Sequence, residues 1–181
     1  SGGSEDLANS EMYRMFTLSS PTRLCVTTWS DASVHAAEIW CSMSGDYGSW
    51  TPLLGSNYGF GDGNNAAFIS TATFDGNTYI GTYNSLPDGP PATGAEIWRT
   101  SDNGISWQQV NPDGFGDSGN IIVSALAEFD GWLYAATHHV YGQGSTVWRC
   151  QECDNTDWEQ VVYDGFGDSN SRRMPALEVV N

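Results

Sequence analysis

The stretch Asp113-Gly114-Phe115-Gly116-Asp117 recurs as Asp164-Gly165-Phe166-Gly167-Asp168, and a shorter form, Gly59-Phe60-Gly61-Asp62, stands earlier in the chain. From one phenylalanine to the next the chain advances 55 and then 51 residues. A similar segment that returns at nearly constant spacing is the signature of a repeat architecture. The chain therefore contains three copies of one structural unit.

A second set of landmarks keeps the same order in every copy. Glu38-Ile39-Trp40 returns as Glu96-Ile97-Trp98 and then as Val147-Trp148. A further tryptophan follows about ten residues after each: Trp50, Trp107 and Trp158. Three landmarks in fixed order, three times, indicate duplication of a whole supersecondary unit rather than of one short motif.

Each copy reads as four short strands. In the middle copy, Asp75-Gly76 separates two strand-like runs, which is a strong hairpin signal. The predicted strands of this copy are Phe68–Phe74, Thr78–Tyr83, Ala95–Thr100 and Ser106–Val110. Those of the third copy are Ile121–Phe129, Trp132–Thr137, Thr146–Cys150 and Trp158–Val162, and those of the first are Met12–Leu18, Arg23–Trp29, Ala36–Ser42 and Trp50–Leu54.

Four antiparallel strands every 50-odd residues are typical of a β-propeller blade, although a β-prism or a stacked meander has a similar pattern. We expect an all-β domain over residues 11–181, with residues 1–10 a tag or linker. The three four-stranded blades are predicted at about 11–54, 66–111 and 121–163, and the first strand of a further blade at 174–180. Propellers need roughly four to eight blades. We therefore expect a partial propeller, which either closes a ring by oligomerisation or belongs to a longer propeller.

The segment Thr100-Ser-Asp102-Asn-Gly104-Ile-Ser-Trp107 resembles the Asp-box, or BNR repeat, of sialidase-like β-propellers. The match is full in this copy; Ser44–Trp50 is one residue short, and Cys153–Trp158 lacks the glycine. The resemblance implies a turn between third and fourth strands, on the face away from the ligand site. It implies structural roles for Thr100, Asp102, Gly104 and Trp107.

The sialidases of this family use three arginines, a Tyr–Glu nucleophile pair and an acidic aspartate. Arg99 and Arg149 follow the third-strand tryptophan at equivalent positions, and their repetition indicates a structural role. No G-x-S-x-G, H-E-x-x-H or P-loop is present. We assign no catalytic residue and expect no enzymatic activity. The alternative is a glycoside hydrolase fragment completed by other blades, with Asp62, Asp117 and Asp168 as candidate carboxylates.

Aromatic residues stand at the end of each second strand: Trp29, Tyr83 and His138, the last followed by His139. The loops after them, 30–35, 84–94 and 139–145, vary in length and share a propeller face with the Gly-Phe-Gly-Asp connectors. A fixed framework with variable loops on one face is typical of recognition. The hypothesis is a non-catalytic binding module for glycan or protein on this face. Two alternatives remain: aromatics that merely cover the blade, and a structural subunit that self-assembles.

The connectors also place oxygen ligands at regular intervals. Asp62, Asp117 and Asp168 are followed by asparagines within a few residues. Ca²⁺ takes six to eight oxygens, so a calcium site at these aspartates is one interpretation. A rigid turn capped by the aspartate is the other. We expect no other cofactor.

The net charge is −16, from 22 acidic residues and six arginines without any lysine. This balance disfavours nucleic acid and anionic membranes as partners. Cys25 and Cys41 would face each other across a hairpin, and Cys150 and Cys153 form a lone C-x-x-C. Two disulfides would indicate an extracellular or periplasmic protein; reduced thiols and metal or redox use are the alternatives.

Overall fold

The computed structural model describes residues 9–30, 36–85 and 91–180, and these residues form three consecutive four-stranded antiparallel units, which we call blades. Blade 1 consists of β1 Asn9–Ser19, β2 Thr22–Ser30, β3 Ile39–Ser42 and β4 Thr51–Pro52. Blade 2 consists of β5 Asn65–Phe74, β6 Asn77–Asn84, β7 Ile97–Thr100 and β8 Gln108–Gln109. Blade 3 consists of β9 Asn120–Phe129, β10 Trp132–His139, β11 Val147–Cys150 and β12 Glu159–Val162.

Short helical turns follow the fourth strand of each blade: connector 1, Tyr58–Gly61; connector 2, Asp113–Gly116; and connector 3, Asp164–Gly167. Within a blade each strand pairs with the next one in sequence. The chain is therefore an all-β structure, and the predicted fold class is confirmed.

In blades 2 and 3 the hairpin between the first and second strands forms at the Asp-Gly pair that predicted it. Asp75 and Gly76 turn the chain from β5 to β6, and both have positive φ, 46° and 73°. Asp130 and Gly131 repeat this geometry between β9 and β10, with φ of 51° and 76°. Two successive residues with positive φ match the right-handed twist of the flanking strands, which is why Asp-Gly is favoured in two-residue hairpins.

Neighbouring blades meet through side chains and through one backbone pairing at each boundary. Trp29 of β2 pairs with Ala67 of β5, and Tyr83 of β6 pairs with Ile122 of β9. We call the boundary between blades 1 and 2 junction 1, and that between blades 2 and 3 junction 2.

The hydrophobic core lies in two clusters that follow the junctions. The first contains Leu18, Ile39, Phe60, Phe68 and Ile80, from blades 1 and 2. The second draws on blades 2 and 3, with Phe74, Tyr79, Ile97, Val110, Val123 and Leu133 among its members. Because each blade buries a face against its neighbour, the stability of one blade depends on the next.

The C-terminal segment differs from the prediction. Residues 174–180 form no strand, although their resemblance to the start of a repeat predicted one. A strand is defined by its hydrogen-bonded partner, and no described residue forms a ladder with this segment. The segment nevertheless takes a first-strand position, since the Ser124 hydroxyl donates to the Met174 carbonyl at 2.7 Å as Ser70 does to Val123 at 2.7 Å.

Both cysteine pairs are joined. Cys25 and Cys41 lie directly opposite each other on β2 and β3, with their Cα atoms 4.1 Å apart. Cys150 and Cys153 close the turn after β11, with a Cα separation of 4.9 Å. Within the described part of the chain, no helix has the length and apolar character needed to cross a membrane.

Candidate functional site

The connectors have a backbone that few residue types adopt. Gly59 and Phe60 both have φ of 59°, and Gly114 and Phe115 repeat this with 55° and 58°. A left-handed phenylalanine is uncommon, so the surrounding turn must fix it. The glycine before it also needs the space, since a Cβ on Gly59 would lie 2.6 Å from the Ala36 Cβ.

The connector aspartates fix these turns. Each accepts a hydrogen bond at Oδ1 from a backbone N–H two residues further on: Asp62 from Asn64 at 2.8 Å, Asp117 from Gly119 at 2.9 Å and Asp168 from Asn170 at 2.9 Å. The three carboxylates thus stand in three separate turns. No group of three His, Cys, Asp or Glu side chains suited to a metal ion occurs among the described residues. A calcium site stays a prediction, and a shared catalytic role for these carboxylates gains no support.

The loops between second and third strands lie against the connectors, so both belong to one surface, the loop face. In junction 1, the Asn84 amide at the end of β6 donates to Asp62 Oδ2 at 3.0 Å. In junction 2, His139 at the end of β10 replaces Asn84, and its Nε2 lies 3.2 Å from Asp117 Oδ2. Residues 31–35 and 86–90 of these loops lie outside the described residues.

The three second-strand aromatics are half-buried rather than displayed as a platform. Trp29 and Tyr83 pair with the first strand of the following blade. Trp29 Nε1 and His138 Nδ1 are buried without a hydrogen-bond partner among the described residues. Burial lowers the pKa of His138, against a hydrogen bond to the Arg172 backbone that raises it. Their role as ligand contacts remains a prediction.

Junction 1 contains a buried polar chain that the sequence did not reveal. Asn84 Nδ2 donates to Asn65 Oδ1 at 3.0 Å, and Asn65 Nδ2 donates to Glu96 Oε2 at 2.6 Å. The Trp98 indole donates to the same oxygen at 2.6 Å. Glu96 is only 4% exposed, and desolvation raises its pKa to about 7 despite these donors. The recurrence of Glu before Ile-Trp was the signal for this position.

In junction 2 the corresponding polar group is a histidine with a fixed tautomer. His139 is 2% exposed, and the Tyr141 backbone N–H donates to its Nδ1 at 3.1 Å. Since Nδ1 accepts, the neutral ring carries its proton on Nε2 and donates it to Asp117 Oδ2. The pair orients Asp117 at the mouth of a cleft.

This cleft, of about 370 Å³, opens on the loop face of junction 2. Its aromatic wall is formed by Phe115 and Trp148, whose rings stack with centroids 4.7 Å apart, and by Tyr163. Its polar lining comes from the residue after connector 2, from β9, β10 and β12, from the loop between β10 and β11, and from connector 3: Asp117, Asn120, His139, Gln160, Gln143, Thr146 and Asp164. Aromatic faces beside amides and carboxylates are the usual lining of a small-molecule site.

A second polar group gathers residues from three separate parts of the chain. The phenol of Tyr13 is hydrogen-bonded to Glu11, and both Tyr83 and Arg173 act on it electrostatically. Burial is the largest cause of the raised pKa of Tyr13, with the Glu11 contact adding to it and Arg173 opposing it. No sequence motif marks Glu11 or Tyr13, because nothing in the local pattern places them beside residues 83 and 173.

Residues 100–107, which resemble the Asp-box, form a turn between β7 and β8. Asp102 Oδ1 accepts from the Thr100 hydroxyl and from the Ser106 N–H, both at 2.9 Å. Gly104 has φ of 86°, and its N–H donates to Thr100 Oγ1 at 2.8 Å. The Ser106 hydroxyl and N–H are the main cause of the lowered pKa of Asp102, about 2.

The other residues that the sequence singled out, Trp107, Arg99 and Arg149, also make structural contacts within and between the blades. Trp107 packs against the first core cluster. Arg99 donates to the carbonyls of Glu152 and Cys153 at 3.1 and 3.2 Å, in the corresponding turn of blade 3. Arg149 bonds Glu159 at 2.8 and 2.9 Å and stacks over Trp132 at 4.2 Å. Neither arginine lines the cleft.

The fold and the cleft define a three-bladed β-propeller segment with a polar and aromatic cleft on its loop face. The endo-arabinase from Bacteroides thetaiotaomicron VPI-5482 aligns with 86% of this chain and 58% of its own length, at 13% identity and a TM-score of 0.47. Trypanosoma rangeli sialidase aligns with 85% of the chain and 39% of its own length, at 9% identity and a TM-score of 0.34. The structure of Trypanosoma rangeli sialidase in complex with the inhibitor DANA aligns with 83% of this chain and 38% of its own length, at 9% identity and a TM-score of 0.35.

No family model and no curated protein matches the chain. The chain spans at most 58% of the length of the solved structures above. The Asp-box resemblance therefore rests on the residues of this sequence.

Proposed function

We propose that this chain is a non-catalytic binding module that holds a neutral glycan in the loop-face cleft of junction 2. The observation that carries the proposal is the lining of the cleft. Stacked Phe115 and Trp148 and the exposed Tyr163 offer apolar faces, while Gln143 and Gln160 offer amides. The C–H faces of a sugar ring pack on aromatic rings, and its hydroxyls exchange hydrogen bonds with amides and carboxylates.

Charge favours a neutral glycan over an acidic one. The chain carries a net charge of −16, and the cleft itself contains the carboxylates of Asp117 and Asp164. An anionic ligand would enter against this field, whereas a neutral sugar would find hydrogen-bond acceptors for its hydroxyls.

Both carboxylates of the cleft are committed to their own loops, which supports binding rather than hydrolysis. Asp117 accepts from the Gly119 N–H and contacts His139. Asp164 Oδ1 accepts from the Gly167 N–H at 3.0 Å. Glycoside hydrolysis needs one carboxylic acid and one carboxylate placed on either side of the scissile bond. We expect no product when oligosaccharides are incubated with the protein.

The two disulfides support an oxidising compartment, and we place the protein outside the cytosol, in an extracellular or periplasmic setting.

The test is calorimetric titration with a panel of neutral and acidic oligosaccharides. Tyr163→Ala removes an exposed aromatic wall and should weaken binding of a neutral ligand about tenfold. The matched control is Tyr47→Ala, since Tyr47 is also exposed but stands in the turn between β3 and β4. Binding that prefers acidic glycans, equal effects of the two variants, or no binding at millimolar concentration would reject the proposal.

A further inference from the structure

The outer surface of blade 3 presents one half of a junction. Connector 3 has the backbone of its two counterparts, with φ of 66° at Gly165 and 63° at Phe166. At junction 1, Phe60 stacks on Trp98 with centroids 4.6 Å apart and is 7% exposed. Phe166 is 74% exposed. We call this surface, which contains connector 3 and is covered in part by residues 171–180, the open end.

Blade 1 presents the other half on its opposite side. Trp40 follows Glu38 as Trp98 follows Glu96, and its Nε1 donates to Glu38 Oε2 at 2.8 Å, so the indole is anchored in the same way. Among the described residues, no aromatic ring lies over Trp40 or over the neighbouring Trp50. Blade 1 thus has the tryptophan pair of a junction without its phenylalanine.

The first-strand register gives a second, independent match. Asn65 pairs with Asn84, and Asn120 pairs with His139. The side-chain amides of Asn65 and Asn120 donate to the Gly59 and Gly114 carbonyls at 2.9 and 3.0 Å. At the open end the equivalent residue is Ser171, identified by the bond from the Ser145 N–H to its carbonyl at 2.7 Å.

Ser171 has no amide to offer the connector carbonyl. The residue at this register position in blade 1 is an asparagine, Asn9, which pairs with Ser30. At this register position the sequence of blade 1 therefore has the residue type found at the two internal junctions.

We propose that the open end of blade 3 docks blade 1 of a second copy of this chain, with Phe166 of one copy beneath Trp40 and Trp50 of the other. Two copies docked head to tail contribute six blades, which lies within the roughly four to eight of known propellers. A head-to-tail contact that closes uses both ends of each copy and leaves no further open end. The proposed contact therefore repeats, between two copies of the chain, the junction that each copy already contains twice.

Residues 171–180 must leave the open end for this contact to form. They hold the first-strand position through the carbonyls of Ser171 and Met174 and a hydrogen bond between His138 and the Arg172 backbone, and most of the segment is exposed. In blade 1, β1 holds the same position through eight residue pairs with β2. Because β1 is ordered by its own blade, we expect it to displace the segment when the second copy docks.

Electrostatics opposes the contact, because each copy carries a net charge of −16. Salt screens repulsion between exposed charges. The dimer should accordingly be stronger in 0.5 M sodium chloride than in 0.05 M, the reverse of an association held by surface ion pairs.

The test is sedimentation equilibrium of the whole chain over a concentration series at both salt levels. We expect a species of about 39 kDa, twice the 19.6 kDa chain, at the higher concentrations. Phe166→Asp should weaken the dimer at least tenfold. The matched control, Ile105→Asp, adds the same charge at a residue that is 85% exposed on the turn between β7 and β8 and should leave the dimer unchanged beyond the salt-dependent repulsion.

A photo-crosslinking residue at position 166 separates the proposed contact from any other dimer. We expect intermolecular crosslinks to the peptide that contains Trp40 and Trp50. A monomer at every concentration and salt level, a dimer that tolerates Phe166→Asp, or crosslinks confined to other surfaces would overturn the proposal. Circular dichroism of each variant establishes that it is folded, which is expected because Phe166 and Ile105 lie at the surface.

Discussion

Connector 1 and connector 3 have the same backbone but opposite surroundings. Phe60 and Phe166 have φ of 59° and 63°, and each is preceded by a left-handed glycine. Phe60 is buried among Phe68, Trp98 and Trp107, whereas Phe166 faces solvent. The left-handed turn therefore forms without a neighbouring blade, because local glycine and aspartate contacts are enough to fix it. The neighbouring blade instead packs against the phenylalanine ring.

The largest expected effect tests this separation directly. Phe60→Ala removes a ring from a packed junction and should lower the free energy of unfolding by about 3–5 kcal/mol. Phe166→Ala in the dilute, monomeric protein should change it by less than about 0.5 kcal/mol, because an exposed side chain has little burial to lose. Urea unfolding at low protein concentration measures both.

Two results would revise the comparison. Equal losses for both variants would mean that Phe166 is buried in the monomer, so that the open end is covered by part of the chain itself. A small loss for Phe60→Ala would mean that the junction tolerates the cavity, and that blades are held mainly by polar contacts.

Most of the fold follows from the repeat. The predicted second and third strands overlap the observed β2, β3, β6, β7, β10 and β11 closely, because Asp-Gly turns and the tryptophan landmarks mark their ends. The fourth strands were predicted too long, since pairing shrinks to Thr51–Pro52 and Gln108–Gln109 at the blade edge. Residues 174–180, which were predicted to form a strand, form none here, because a strand needs a partner that local sequence does not supply.

The candidate cleft could not be predicted in the same way. Its walls come from connector 2, β11, connector 3 and the loop after β10, and only the folded blades bring these together. His139 occupies a position where the other copies have Ser30 and Asn84, so the repeat marked the position but not its new partner, Asp117. Of the residues predicted from the sequence to contact a ligand or metal, Asp117 and His139 line the cleft, whereas Trp148 and Tyr163 were not among those predicted.

The next largest effect is the pH dependence of stability that comes from Glu96, in the buried polar chain of junction 1. Burial raises the pKa of Glu96 to about 7 from its usual 4.5, so the folded protein binds this proton more tightly than the unfolded chain. The resulting stabilisation is complete below about pH 4.5 and is lost as the pH rises through 7. Glu96→Gln keeps an acceptor for Asn65 and Trp98 but cannot ionise. Relative to this variant, the wild type should lose about 1–3 kcal/mol between pH 5 and pH 8.

Urea unfolding of both proteins at the two pH values measures this difference. Glu38→Gln is the matched control for the amide substitution, since Glu38 occupies the same position in blade 1 and also accepts from a tryptophan indole. If the stability gap between wild type and Glu96→Gln is the same at pH 5 and pH 8, Glu96 is ionised in the folded protein throughout this range.

The smallest effect lies in the solvent-exposed Asp-box turn. Hydrogen bonds from Ser106 hold the pKa of Asp102 at about 2, below its usual 3.8, so its stabilising contribution is present above pH 3.8 and is lost as the pH falls through 2. Asp102→Ala should lower Tm slightly at pH 7, and the difference from wild type should vanish near pH 2. Asp46→Ala is the comparison, because the Asp46 side chain accepts no hydrogen bond from the described residues of its own, shortened turn. An equal fall in Tm for both variants would assign the effect to loss of charge, and a fall for Asp102→Ala alone would assign it to the turn.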